Sequence, residues 1–139
     1  MKDAKVTING GLSVLSAFGT GHGASIAVDL PMDIIIKPSK EWTPNLKEVS
    51  QTIASRYGIR DRFTIDINSM IPQGRGLKSS SAFVTGILLG LDLVYKIIGV
   101  GKGIEQESAE VSKILKLSST GALDDICSCL YGGICLTNN

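Results

Sequence analysis

The chain has 139 residues, 43% hydrophobic, 19% charged and 5% aromatic, with a formal net charge of +1. That length is about one domain's worth and allows roughly 70% of the unfolded chain's surface to be buried, so a real core is expected. The near-neutral balance and the scarcity of aromatic rings exclude intrinsic disorder, a polyanion-binding surface and base stacking, and nucleic acid is not an expected partner.

Taken in order, MKDAKVTING has no apolar stretch behind its charges and is not expected to act as a signal peptide. Val6 and Ile8, then Leu12 and Val14, alternate as a short strand pair turning at Asn9-Gly10-Gly11. In GTGHGASIAVDL, three glycines (Gly19, Gly21, Gly23) precede a strand whose Ile26, Val28 and Leu30 share a face; MDIIIKP continues as an extended run that Pro38 ends. Thr43-Pro44 predicts a helix start, with Thr43 as the capping hydroxyl. Leu46, Val49, Ile53 and Tyr57 then repeat at helical spacing until Gly58.

Residues 62–68 alternate again, with Phe63, Ile65 and Ile67 pointing one way, which predicts a half-buried strand. Beyond a glycine loop the spacing predicts helices over 79–98, 104–116 and 123–131, and GGICLT reads as a closing strand. The apolar run over 82–100 contains Asp92 and Lys96, which a bilayer would penalise, so a buried core helix is expected rather than a membrane span. Cys127, Cys129 and Cys135 are odd in number and lack CxxC spacing, which points to buried thiols in a reducing cytoplasm rather than a zinc or disulfide site. The order of elements is that of an α+β domain. Because the sequence stops directly after its last strand, further polypeptide is expected to follow.

The junction IPQGRGLKSSSA is where chemistry is expected. Backbone N–H groups at a helix N-terminus bind phosphate readily, and Gly74 and Gly76 would let a ligand approach closely. Lys78 adds charge, Ser79, Ser80 and Ser81 add hydroxyls to the first turn, and one hydroxyl can ligate Mg²⁺. The plainer alternative is a glycine turn with one serine capping the helix, which leaves two serines unexplained. Neither G-x-x-x-x-G-K-[ST] nor G-x-G-x-x-G occurs, so the site is neither a P-loop nor a Rossmann site.

Residues 72–82, PQGRGLKSSSA, resemble the second motif of the GHMP kinase superfamily, P-x-x-x-G-L-[GS]-S-S-[AS], and their Gly-Leu-Lys-Ser-Ser-Ser wording is similar to that of the archaeal-type shikimate kinases. GTGHGASIAVDL and STGALDD resemble two further segments of the same enzymes, in the same order. The resemblance implies a ribosomal protein S5 domain 2-like fold and transfer of the ATP γ-phosphate to a small alcohol, here shikimate. Homoserine kinase, or another GHMP kinase, is the nearest alternative. A non-catalytic S5-like domain is an alternative of another class, against which the low net charge argues.

By the same resemblance, the backbone of Pro72, Gln73, Gly74, Arg75, Gly76, Leu77, Lys78, Ser79, Ser80 and Ser81 would wrap the ATP phosphates, and Ser80 would ligate Mg²⁺. Lys78 would lie against a phosphate or point outward. Asp125, with Asp124 second, would receive the acceptor proton. One carboxylate is the expected protein share of a reaction that needs alignment and charge neutralisation above all. The plainer reading is that Ser119, Thr120 or Asp124 caps the helix beginning near Leu123. His22, Asp29 and Thr120 are the substrate-side candidates, and Arg60, Arg62 and Arg75 are possible partners for the substrate carboxylate.

Three departures from the family pattern stand out. Leu12 falls where mevalonate kinase carries a lysine, leaving none expected to depress the pKa of the base. The family's Mg²⁺-binding glutamate would fall near Ile114, with Glu107 and Glu110 about a turn away. The ferredoxin-like C-terminal half with its third glycine motif is not in this sequence, so the whole chain, residues 1–139, is expected to be the ATP-binding N-terminal domain alone.

Overall fold

The computed structural model describes residues 3–15, 22–99, 103–118 and 123–138. Strands β1 (Ala4–Leu15) and β2 (His22–Ser39) are followed by a 3-10 turn (Pro44–Leu46), helix α1 (Lys47–Tyr57) and strand β3 (Arg62–Ser69). Helices α2 (Ser79–Tyr95), α3 (Ile104–Ile114) and α4 (Leu123–Tyr131) come next, and β4 (Ile134–Asn138) closes the order, which is the expected α+β arrangement. Among the described residues no helix is long and apolar enough to cross a membrane.

The long strand β2 organises the sheet. β1 runs antiparallel along one edge of it, and β3 and β4 share the other, β3 beside residues 32–39 and β4 beside residues 22–26. Between them the last strand-bound backbone groups are Met70 N–H, donating to Pro31 O, and Ala27 N–H, donating to Gly133 O. The chain therefore leaves the sheet after β3 through a gap in the middle of β2, and the glycine-serine loop starts there.

Helices α2 and α4 pack directly on β1 and β2, and α3 packs on α2 and α4. Period-two alternation puts Ile34, Ile36, Phe63 and Ile65 into the core against Val84, Ile87, Leu88 and Leu91 of α2. The glycines within α2 are a packing device. A Cβ on Gly90 would stand 2.6 Å from Ile36 Cγ1, and one on Gly86 would clash with Ile34 Cδ1.

Three local expectations are corrected. Asn9-Gly10-Gly11 is not a turn: β1 runs straight through it, with only a register irregularity between Asn9 and Gly11. Neither glycine has the positive φ that a tight hairpin needs. Thr43 does not cap the first helix. Its hydroxyl instead accepts from Ile65 N–H at 2.8 Å and donates to Ile65 O at 3.3 Å, tying the segment to β3. The helix expected over 79–98 ends earlier, at Tyr95, because Lys96 turns left-handed and Asp92 Oδ1 accepts from Ile98 N–H.

Candidate functional site

The glycine-serine loop is pinned at both ends and open in between. Ile71 is buried and Leu77 packs on the core, whereas residues 72–76 are exposed. Gly74 and Gly76 take φ of 70° and 72°, the left-handed region that suits glycine. Gly11 N–H donates to Leu77 O at 3.0 Å, and a Cβ on Gly10 would stand 2.7 Å from the same carbonyl. The glycines read as a turn in the sequence are thus the bed on which the loop rests.

No side chain caps α2, whose N-cap is Lys78 in a left-handed conformation at φ 67° and ψ 35°. The first-turn N–H groups therefore stand without a side-chain acceptor, as an anion site requires. Ser80 is exposed there, and Ser81 is buried with the core. Ser79, Ser80, Gln73 and Gly74 form one side of an open cleft of about 520 Å³, whose other walls include Met32, Leu46, Ile67, Phe83 and Leu117. A polar, N–H-lined end and an apolar body suit a nucleotide, with phosphates at the helix and the base against the apolar walls. A serine hydroxyl is a hard oxygen ligand suited to Mg²⁺ carried on those phosphates. No carboxylate lines this cleft among the described residues. Glu107 is engaged by Arg56 and Tyr57, and Glu110 by Lys113.

Lys78 reaches neither outward nor toward the cleft. Its Nζ stands 3.4 Å from Asp125 Oδ1, with both side chains largely buried. The oxygen accepts no hydrogen bond, so the attraction is chiefly coulombic. Burial foremost, then the neighbouring Asp124 charge, raises the Asp125 pKa, and Lys78 opposes both. Lys78 thus puts a cation beside Asp125, at a site where Leu12 leaves none. Leu12 is 49% exposed.

The two aspartates at the start of α4 face different neighbours. Asp124 is buried against Gly23, where a Cβ would stand 2.8 Å from its carboxyl carbon. Behind Asp125, Ser128 Oγ donates within the buried serine pair to Ser25 Oγ at 3.0 Å, and Ser25 Oγ lies 3.2 Å from Leu12 O. These bonds seat α4 on the strands. Cys129 lies in the same region, and burial pushes its thiol up to about 12; Cys127 is pushed up to about 11. Neither is a thiolate near neutrality.

His22 is exposed at the first position of β2, next to the glycine on which Asp124 packs, and Asp29 is exposed where β2 bulges opposite Gly10. Thr120 and Ser119 lie outside the described residues. Arg62 pairs with Ser39 at the far end of β2 and donates to Lys40 O, and Arg60 lines a separate open cleft with Trp42. Both are remote from Asp124 and Asp125. Arg75 is exposed on the loop itself.

Comparison with known proteins agrees with this geometry. Residues 45–133 match the family described as GHMP kinases N terminal domain. The chain is 39% identical over 140 residues to a shikimate kinase of Thermoplasma acidophilum, covering 100% of this chain and 51% of that protein. It is 31% identical over 142 residues to a shikimate kinase of Pyrococcus furiosus, covering 92% and 52%. The chain thus spans about half the length of the curated relatives it matches. Among solved structures, homoserine kinase from Cytophaga hutchinsonii superposes with a TM-score of 0.74 at 19% identity, over 100% of this chain and 50% of that one. Mevalonate kinase from methicillin-resistant Staphylococcus aureus gives 0.73 at 12% identity, over 96% and 52%. These two likenesses establish a shared fold. With the loop, helix and strand order that its sequence motifs anticipate, the chain belongs to the GHMP kinase N-terminal domain family.

Proposed function

We propose that this chain is the ATP-binding half of a cytoplasmic kinase that transfers the γ-phosphate of ATP to a hydroxyl of shikimate, a step of aromatic amino acid biosynthesis. The observation that carries the reading is the likeness, over the whole of this chain and 51% of the relative, to the Thermoplasma acidophilum shikimate kinase, whose name supplies the acceptor. The uncapped start of α2 beside the Lys78–Asp125 pair supports the reaction class.

In this reading the loop and first-turn N–H groups of α2 hold the ATP phosphates and Ser80 holds Mg²⁺, which neutralises phosphate charge when bound. Asp125 orients the acceptor hydroxyl and takes its proton as the phosphoryl group moves to that oxygen. Asp124 fixes the start of α4 against Gly23. His22, beside the glycine on which Asp124 packs, is the acceptor-side candidate among the described residues, and Arg75, exposed on the loop, is a candidate partner for the acceptor carboxylate. Free thiols at Cys127, Cys129 and Cys135 fit a reducing compartment.

We assign the remaining half of the enzyme to a ferredoxin-like domain with a further glycine motif. The row Leu12, Ile26 and Ile134, continued by Leu136, offers it an apolar sheet surface, with Leu136 80% exposed. The test is ADP release by the full-length protein with shikimate, homoserine and mevalonate in parallel. Release that depends on shikimate supports the assignment, and release that depends on either other alcohol replaces it.

A further inference from the structure

We propose that Lys78 is a positioning residue for Asp125, a cation carried by the phosphate loop that holds this carboxylate in place and favours its charged form. The inference rests on the kinase reading for the role of Asp125, but not for the contact itself.

The backbone gives the first reason. Lys78 sits at φ 67°, close to the φ of 70° and 72° at Gly74 and Gly76 in the same loop. A residue with a Cβ is disfavoured there, so backbone geometry alone would call for a third glycine. Lys96 and Lys116 adopt the same conformation, so the backbone singles out Lys78 only together with the work of its side chain.

The side chain shows what that work is. Its Cγ lies 3.4 Å from where a Cβ on Gly11 would stand, so the stem crosses bare glycine backbone on its way to Asp125. The lysine side chain is 19% exposed and the carboxylate 14%, which leaves little water to screen them. Asp124 and Cys129 face Asp125 from its own helix, and His22 stands beside Gly23 where Asp124 packs. Lys78, from the loop, supplies the counter-charge. Ser79 and Ser80 follow it directly, so the geometry that presents α2 to phosphate also presents the cation to the carboxylate.

The experiment is a carbon-13 NMR titration of the Asp125 carboxyl in the wild-type chain and in K78M, K78R and K78G. Asp125→Asn assigns the resonance. Removing a cation at this distance is expected to raise the titration midpoint by about one pH unit or more in K78M, with K78R restoring most of it. K78G removes the same charge while suiting the left-handed backbone, and so provides a folded comparison if K78M is unstable. An unmoved midpoint in the folded variants overturns the proposal.

In kinase assays of the full-length protein, the acid limb of the kcat/KM profile should move to higher pH by the same amount. If the carboxyl midpoint moves and that limb does not, the contact stands and the assignment of Asp125 as proton acceptor fails.

Discussion

The backbone N–H of Gly11 donates a 3.0 Å hydrogen bond to the carbonyl of Leu77, joining the first strand to the base of the glycine-serine loop. Gly10 lies against the same carbonyl, so Gly10→Ala must push the loop by way of rigid backbone. The substitution should destabilise the protein by about 1–3 kcal/mol, the usual range for overpacking. It should also weaken ATP binding, and denaturant unfolding with nucleotide titration will show both. Unchanged stability and unchanged affinity would mean that the strand does not seat the loop.

Asp125→Asn should lower kcat by roughly 10²–10⁴, the span associated with losing a general base. Its effect on stability has the opposite tendency. The folded-state pKa of Asp125 is raised, by burial first, so its contribution is fully present below the unfolded pKa and is lost as pH rises through the folded value. Melting curves taken at rising pH from about 4, the ordinary carboxylate range, should therefore show a pH-dependent loss in the wild type that the variant lacks. A larger catalytic loss from Asp124→Asn than from Asp125→Asn would reverse the choice within the pair.

Ser80 is exposed and makes no cap, so Ser80→Ala should shift stability by no more than about 0.5 kcal/mol. Mg²⁺ dependence is where it should register, as a roughly 10–100-fold rise in the Mg²⁺ concentration needed for half-maximal activity. An unchanged Mg²⁺ titration would remove Ser80 from the metal site.

Much of this arrangement was legible in the sequence because it is local. The 3.6-residue repeat of α1, the alternation of Phe63 and Ile65, and the glycine-serine junction before α2 each declare themselves within a few residues. The failures are non-local. Asn9-Gly10 carries the signature of a turn, yet its glycines answer a loop carbonyl far along the chain. Thr43 looks like a cap, yet β3 claims its hydroxyl. No lysine was expected beside Asp125, yet Lys78 from another motif lies against it, a contact that only the tertiary structure reveals. Its one local clue is Lys78 standing where the general superfamily motif has Gly or Ser.

The Cys127 and Cys129 thiols should be poor nucleophiles in the native protein. With Cys127 pushed up to about 11 and Cys129 to about 12, each is ionised at pH 8 only on the order of one part in a thousand or less. Reaction with an aromatic disulfide reagent should be slow before unfolding and rapid after it. Fast native labelling of Cys129 would contradict its burial.

Identifying the product decides whether shikimate is the acceptor. Full-length protein, MgATP and shikimate are incubated and followed by phosphorus-31 NMR, with Asp125→Asn as the control. A new phosphate-monoester resonance should grow as ATP is consumed, require shikimate and be lost in the control. ATP consumption without a shikimate ester, or an ester formed only from homoserine or mevalonate, would contradict it.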